Sequence, residues 1–326
     1  MPLSQVSDDL VHQPEANSGW RESYYFDFYD PALGIGMWHS VGKRPHKGHS
    51  GYALGIWGSE LLTGIGRDHF AEHDENHVVA GMRYECMTPL KQWRTSFSGD
   101  LGRPQPQMRL DVRSLLPEGQ AEMTRVPVAF DIIFTGITPA YTYRDLPHWK
   151  PLFSGHLDQL CKTTGTLSIG DKHYEVNGIG GRDRSWGTRN WAYPKMWRFI
   201  DVAADGFNLM LWYTEADGGL TMVDGFVQQG ADLSPVVAYK ESVETIAAAG
   251  KAMPKSLSFE ASTENGKTVR VEGEVMQIMP VVFEKKQNGV PVTSWNDRAL
   301  VRFRLPGGRT AYGNIEFGER VGTSGT

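Results

Sequence analysis

Cysteine is almost missing from this chain: Cys86 and Cys161 are the only two. A single disulfide is possible, but two reduced, buried thiols in a reducing cytosol are the expectation. Long apolar runs are absent too, so no segment reaches the length of a membrane-spanning helix. The opening "MPLSQVSDDLVHQPEANSGW" lacks a basic stretch followed by an apolar one and does not read as a signal peptide. A formal net charge of −5 leaves no basic footprint for nucleic acid. Also missing are G-x-G-x-x-G after a strand, the phosphate-binding P-loop, H-E-x-x-H, C-x-x-C and G-x-S-x-G. Nucleotide-binding α/β folds, zinc proteases and serine hydrolases lose their usual signatures.

What is present in quantity is glycine and aromatic side chains, 37 Gly with 10 Trp, 12 Tyr and 14 Phe, a composition that favours strands and tight turns. Alternating segments meet at turn dipeptides: Gly170-Asp171, Asp205-Gly206, Asp217-Gly218, Asn265-Gly266, Asn288-Gly289 and Pro306-Gly307-Gly308. Successive hairpins build a meander, and a meander with one apolar face closes into a barrel or sandwich. The clearest helical candidate is the short "VETIAAAGKAM", Val243 to Met253. At 326 residues the chain is long for one barrel, and two domains are expected.

One stretch is unusual, "NGIGGRDRSWGTRNW" from Asn177 to Trp191, with three arginines, one aspartate, two tryptophans and four glycines. Such a composition suits a charged seam or the wall of a site better than a core strand or a plain loop. Read as a strand, it puts Arg182, Arg184 and Trp186 on one face and Asp183 on the other. A desolvated Asp183 would have a raised pKa and serve as a general acid; an ionised Asp183 paired with a distant arginine is the structural alternative. A second cluster, Trp20 to Trp57, alternates aromatic and acidic residues, among them Glu22, Tyr24 and Asp27, and carries Trp38, His39, His46 and His49. It could line the mouth of a small-molecule cavity, or form an aromatic-rich sheet. His69, His73 and His77 recur at spacings of four. In strand geometry successive members stand about 13 Å apart, too far to share an ion, so no metal is expected.

Three patches carry a resemblance: "ESYYFDFYDPALGIGMW", "HLDQLCKTTGTLSIGDKHYEVNGIGGRDRSWGTRNW" and "RTAYGNIEFGER". They resemble the superfamily of two-domain, lipocalin-like proteins that includes carotenoid hydratase, with kievitone hydratase and fungal Diels–Alderases as more distant relatives. The resemblance runs from about Trp20 to about Glu319. It implies an all-β chain of two calycin-like barrels or sandwiches packed side by side, with an apolar cavity at or near their interface. The expected boundaries are a flexible tail at 1–18, a first domain at 19–190, a second at 191–320 and a short tail at 321–326. In the hydratase branch an acidic residue stands two or three positions before a Trp-Gly pair, here Asp183 ahead of Trp186-Gly187.

The resemblance implies a cofactor-independent hydratase, lyase or isomerase acting on a carbon–carbon double bond of an isoprenoid- or polyketide-like molecule. Asp183 would protonate the alkene, Glu22 would position water, and Tyr24, Trp186 and Trp191 would face the cation. Arg182, Arg189, His39, Trp38 and Asp27 complete the expected substrate-binding set. Arginines pointing into the cavity would instead suggest a carboxylate-bearing substrate. A carrier that sequesters a lipophile and a shape-driven cyclase are the rival readings. The expected partner is a lipophilic small molecule; a homodimer is admitted, and a cytoplasmic location is expected.

Overall fold

The computed structural model describes residues 3–16, 19–69, 76–104, 110–111, 123–248, 251–287 and 290–321. It divides into two compact units, residues 2–104 with 113–189, and residues 190–326 with 105–112 and residue 1. Both units are built from antiparallel strands, and strand pairing closes each into a ring of eight.

The first unit contains β1 (Trp20–Asp30), β2 (Ile35–Arg44), β3 (His49–Trp57), β4 (Leu62–His69), β5 (His77–Val79), β6 (Met82–Thr88) and β7 (Gln92–Arg103). The two-residue β8 (Leu110–Asp111) belongs to the second unit; β9 (Thr124–Gly136), β10 (Tyr141–Thr142), β11 (Gly155–Ile169) and β12 (Lys172–Thr188) complete the first. Its ring runs β1, β2, β3, β4, β7, β9, β11, β12 and back to β1. The period of two that closes it is plain on β9, where Val126, Val128, Phe130, Ile132 and Phe134 are buried in the core while Arg125 and Ala129 are exposed. Strand β1, by contrast, is buried along nearly its whole length on both faces.

The second unit contains β13 (Pro194–Ala204), β14 (Phe207–Ala216), β15 (Thr221–Gln229), β16 (Asp232–Ala248), β17 (Lys251–Thr263), β18 (Thr268–Gln287), β19 (Val290–Arg304) and β20 (Thr310–Val321). Each pairs with its successor, and β13 pairs with β20 to close the ring. Strand β8 adds to β18 in parallel. Its core gathers Ile200, Leu209, Leu211, Val271, Val301, Phe303 and Ile315.

The turn dipeptides fall where the strands reverse. Gly170 and Gly206 take positive φ, 57° and 68°, which a side chain would resist. Asn288-Gly289 lies outside the described residues. The helix expected over Val243 to Met253 is not formed: Val243, Thr245 and Ile246 belong to β16 and pair with Leu257, Pro254 and Met253 of β17. Alanine favours a helix, but β-branched neighbours and a long cross-strand partner outweigh that local preference. No helix among the described residues is long and apolar enough to cross a membrane.

Candidate functional site

Strand β12 divides the unusual Asn177–Trp191 stretch between two faces. Across β1, Tyr24 stands opposite Arg184, Tyr25 opposite Asp183 and Phe26 opposite Arg182. Tyr24 and Phe26 belong to the barrel core, so both arginines point inward and Asp183 points outward. Two glycines make this crossing tight. A Cβ on Gly180 would lie 2.0 Å from the Asp27 carbonyl oxygen, and one on Gly155 would lie 2.1 Å from the Trp186 ring.

The inner cluster is an ion network sealed by the chain's own N-terminal segment. Asp9 closes a 3-10 turn, Val6–Asp9, and is wholly buried. Arg182 grips its carboxylate with both ends, Nη1 to Oδ1 at 2.7 Å and Nη2 to Oδ2 at 3.0 Å. The Trp93 indole N–H (3.1 Å) and the Leu90 backbone N–H (2.5 Å) donate to the same carboxylate. Arg184 donates to the Asp9 carbonyl and, at 2.8 Å, to Glu22 Oε1. That oxygen also accepts the His12 backbone N–H (3.1 Å) and ring Nδ1–H (2.9 Å). The His12 ring stacks on Trp186 with centroids 3.6 Å apart, and the Arg184 guanidinium lies 4.5 Å over the Tyr24 ring.

Burial alone would raise both carboxyl pKa values, but the donors outweigh it. The Arg182 guanidinium holds Asp9 below its ordinary value, and His12 with Arg184 holds Glu22 at about 2. Deeper in the same barrel, His39 shares hydrogen bonds with the Tyr84 hydroxyl (3.1 Å) and Thr95 Oγ1 (3.3 Å). Burial pushes this histidine down to about 3, so it is neutral. Burial pushes the Cys161 thiol up to about 12, which removes it as a nucleophile.

The outer face holds a different chemistry. Asp183 is flanked by Tyr25 on β1 and by Asp158 on β11. Asp158 is fully buried; His156 Nε2 donates to it at 2.8 Å and the Tyr143 hydroxyl at 2.6 Å. Asp183 is only half-buried. Two carboxylates thus stand opposite each other on neighbouring strands. Along the same face Asp27 accepts the Gly181 backbone N–H at 3.0 Å, with Trp38 opposite it on β2. Ser23 and Ser185 bond across the strands at 2.9 Å, and Arg189 donates to both hydroxyls.

The expected site residues are thus sorted rather than gathered. Glu22, Tyr24, Trp186, Arg182 and His39 lie on the inner side of the first barrel, and Asp183, Asp27, Trp38 and Arg189 on its outer side. Trp191 belongs to the second unit, where its ring lies 5.2 Å from Trp197 and 6.0 Å from Trp212. Sequence reasoning did not single out His156, Asp158, Tyr143, Asp9 or His12. The alternation of His156 and Asp158 within β11 was the one available signal. Residues 3–16, part of the segment expected as a flexible tail, are docked, because Asp9 and His12 find partners far along the chain. His73 lies outside the described residues, and no metal-ligating cluster occurs among those described. A groove of about 510 Å³ on the outer face of β16–β20 is lined by Ser242, Ser256, Ser258, Glu272, Glu274 and Arg302 and offers little to a lipophile. A hollow of about 100 Å³ is lined by Ile35, Ile56, Val126 and Ile169 together with the charged Glu60, Arg103 and Lys172.

Two consecutive eight-stranded meander barrels define a two-domain, lipocalin-like protein. The chain belongs to the family described as domain of unknown function DUF7064, whose model matches residues 5–321. Solved structures share the architecture: an AttH-like protein from Nitrosomonas europaea superposes with a TM-score of 0.65 at 11% identity, covering 97% of this chain and 96% of that one. Kievitone hydratase from Nectria haematococca gives 0.59 at 11%, covering 97% and 93%. CghA in complex with Sch210972 gives 0.55 at 10%, covering 100% and 96%. At such identities the likeness establishes the fold. No curated protein matches the chain in sequence.

Proposed function

We propose that this protein is a cofactor-independent acid–base enzyme that adds water to, removes it from, or shifts a carbon–carbon double bond in a lipophilic small molecule. The observation that carries the reading is Asp183, half-buried and directly opposite a second carboxylate, Asp158, which His156 and Tyr143 hold in place. In the hydration direction, the protonated Asp183 gives its proton to one alkene carbon and becomes a carboxylate. The other carbon becomes a cation faced by the π-systems of Tyr25 and Trp38. Water adds to that carbon and returns a proton to Asp183, so the acid is regenerated and only water is consumed. Asp158, held by His156 and Tyr143, stands opposite Asp183 throughout. The likeness to kievitone hydratase supports a hydro-lyase. The likeness to CghA favours a second reading, a cyclisation directed by shape alone, in which no proton moves.

Native mass spectrometry with lipid extraction, run on wild type and Asp183→Asn beside a panel of isoprenoid alkenes, tests both. A product differing from its substrate by one water, lost in the variant, supports the hydro-lyase. An isomer formed equally by both proteins supports shape-driven cyclisation, and a bound lipophile that never changes would leave a carrier.

A further inference from the structure

The N-terminal segment occupies the inner cluster much as a ligand would. Among residues 3–16 only Asp9 is fully buried, while the apolar Leu3 and Val6 are 47% and 53% exposed. Leu10 and Val11 are half-buried, and the polar contacts of the segment centre on one carboxylate. That carboxylate receives a bidentate arginine, an indole N–H and a backbone N–H, the donor set expected of a recognition site for a planar anion. The surroundings are rich in positive charge: Lys43, Arg182 and Arg184 are buried there against the two carboxylates of Asp9 and Glu22. Lys43 stands opposite Glu22 across β1 and β2, its ammonium 5.4 Å over the Tyr24 ring. Removing Asp9 would take from Arg182 the carboxylate that it grips in a low-dielectric interior, a place that another anion can fill.

We infer that the inner mouth of the first barrel is a binding site for a lipophilic carboxylic acid, and that Asp9 is its built-in surrogate. The acid's carboxylate takes the place of the Asp9 carboxylate on Arg182, Trp93 Nε1 and Leu90 N. Its apolar body lies against the Trp186 ring, which His12 covers at present. The site lies on the face of β12 opposite Asp183 and does not depend on the acid–base reading. The tethered Asp9 competes at an effective concentration on the order of millimolar, so the wild type binds weakly and a chain lacking the Asp9 carboxylate binds more tightly.

The experiment is amide hydrogen exchange on the full-length wild type with decanoate, with methyl decanoate and with sodium chloride. It is paired with melting curves of Asp9→Ala in acetate and decanoate. Displacement breaks the hydrogen bonds from Ser4 N–H to the Ala140 carbonyl and from His12 N–H to Glu22. Decanoate should therefore speed exchange across residues 3–16 by tenfold or more, while the ester and the salt leave it unchanged. Asp9→Ala should bind decanoate at least tenfold more tightly than the wild type does, with a melting temperature raised by roughly 5–10 °C at a hundred times the Kd. Exchange that decanoate leaves unchanged, or that the ester accelerates equally, would overturn the inference. The wild-type arm decides the matter even if Asp9→Ala does not fold. Decanoate binding in Asp183→Asn should match that of the wild type, which separates this site from the outer one.

Discussion

The two barrels use one scaffold and differ in what they do with charge. In each, an outward aspartate on the first strand accepts a backbone N–H from the last: Asp27 from Gly181 at 3.0 Å, and Asp201 from Asn314 at 3.1 Å. Counting two residues on from the donors Gly181 and Asn314, Asp183 in the first barrel corresponds to Glu316 in the second. Glu316 stands opposite Arg298, which reaches it at 2.6 Å, and it also accepts the Trp197 indole N–H at 3.0 Å. Asp183 stands opposite another carboxylate. The same position faces an arginine in one barrel and a carboxylate in the other. The proposed proton transfer rests on that difference.

The inward faces diverge as well. Arg198 pairs with Glu241 inside the second barrel at 2.7 Å, with about an eighth of each side chain exposed (12% and 14%). Arg184 and Glu22 in the first are 0% exposed, because residues 3–16 close over them. Only residues 189–193 separate β12 from β13, too few to supply the second barrel with a comparable strap.

The largest effect expected from this contrast is on stability. Arg184→Met should cost about 3–5 kcal/mol, because it leaves Glu22 buried with its charge. Arg198→Met should cost about 1–3 kcal/mol, since its partner retains solvent. Urea denaturation midpoints compare the two, and equal costs would break the distinction between sealed and open barrels.

Acid should act next, and unevenly. Glu22 is held at about 2 against an ordinary 4.5, so its contribution is complete above pH 4.5 and is lost as pH falls toward 2. His39 is held at about 3 against an ordinary 6.5; below pH 6.5 the unfolded chain takes up a proton that the folded barrel refuses, and stability declines toward pH 3. Both groups lie in the first barrel, and all 10 histidines precede residue 174. Hydrogen exchange at pH 7 and pH 4 should show protection falling further in the first barrel than in the second.

A smaller effect separates the corresponding carboxylates. Glu316→Gln should lower stability by about 1–2 kcal/mol through the loss of its charge-assisted bonds. The smallest is the shared device: Asp27→Asn and Asp201→Asn should each cost about 1 kcal/mol and agree within about 0.5. Thermal melts of these three variants check both expectations, and unequal aspartates would show that the barrels are not equivalent.

Much of the fold was legible because hairpins announce themselves locally. Gly170, Gly206 and Gly266 occupy turns between strands whose alternation fixes register. Alternation also separated Asp183 from its neighbouring arginines before any partner was known. The Val243–Met253 segment misled because its alanines advertise a helix, whereas its two halves belong to two long strands that pair with each other, Ile246 with Met253. Asp9 was illegible for a stronger reason: its ligand Arg182 is 173 positions away, and no periodicity marks a strap. His156 and Asp158 sat in plain view as alternate residues of one strand. Their meaning came only with the register that sets Asp158 against Asp183.

The most direct test is turnover by Asp183→Asn beside Glu316→Gln, at a temperature where circular dichroism shows both folded. Asp183→Asn should lose activity by about 10²–10⁴-fold, while Glu316→Gln should stay within about twofold of wild type, as befits a structural ion pair away from the proposed chemistry. An Asp183→Asn enzyme as active as the wild type, or a Glu316→Gln enzyme equally impaired, would contradict the acid role proposed for Asp183.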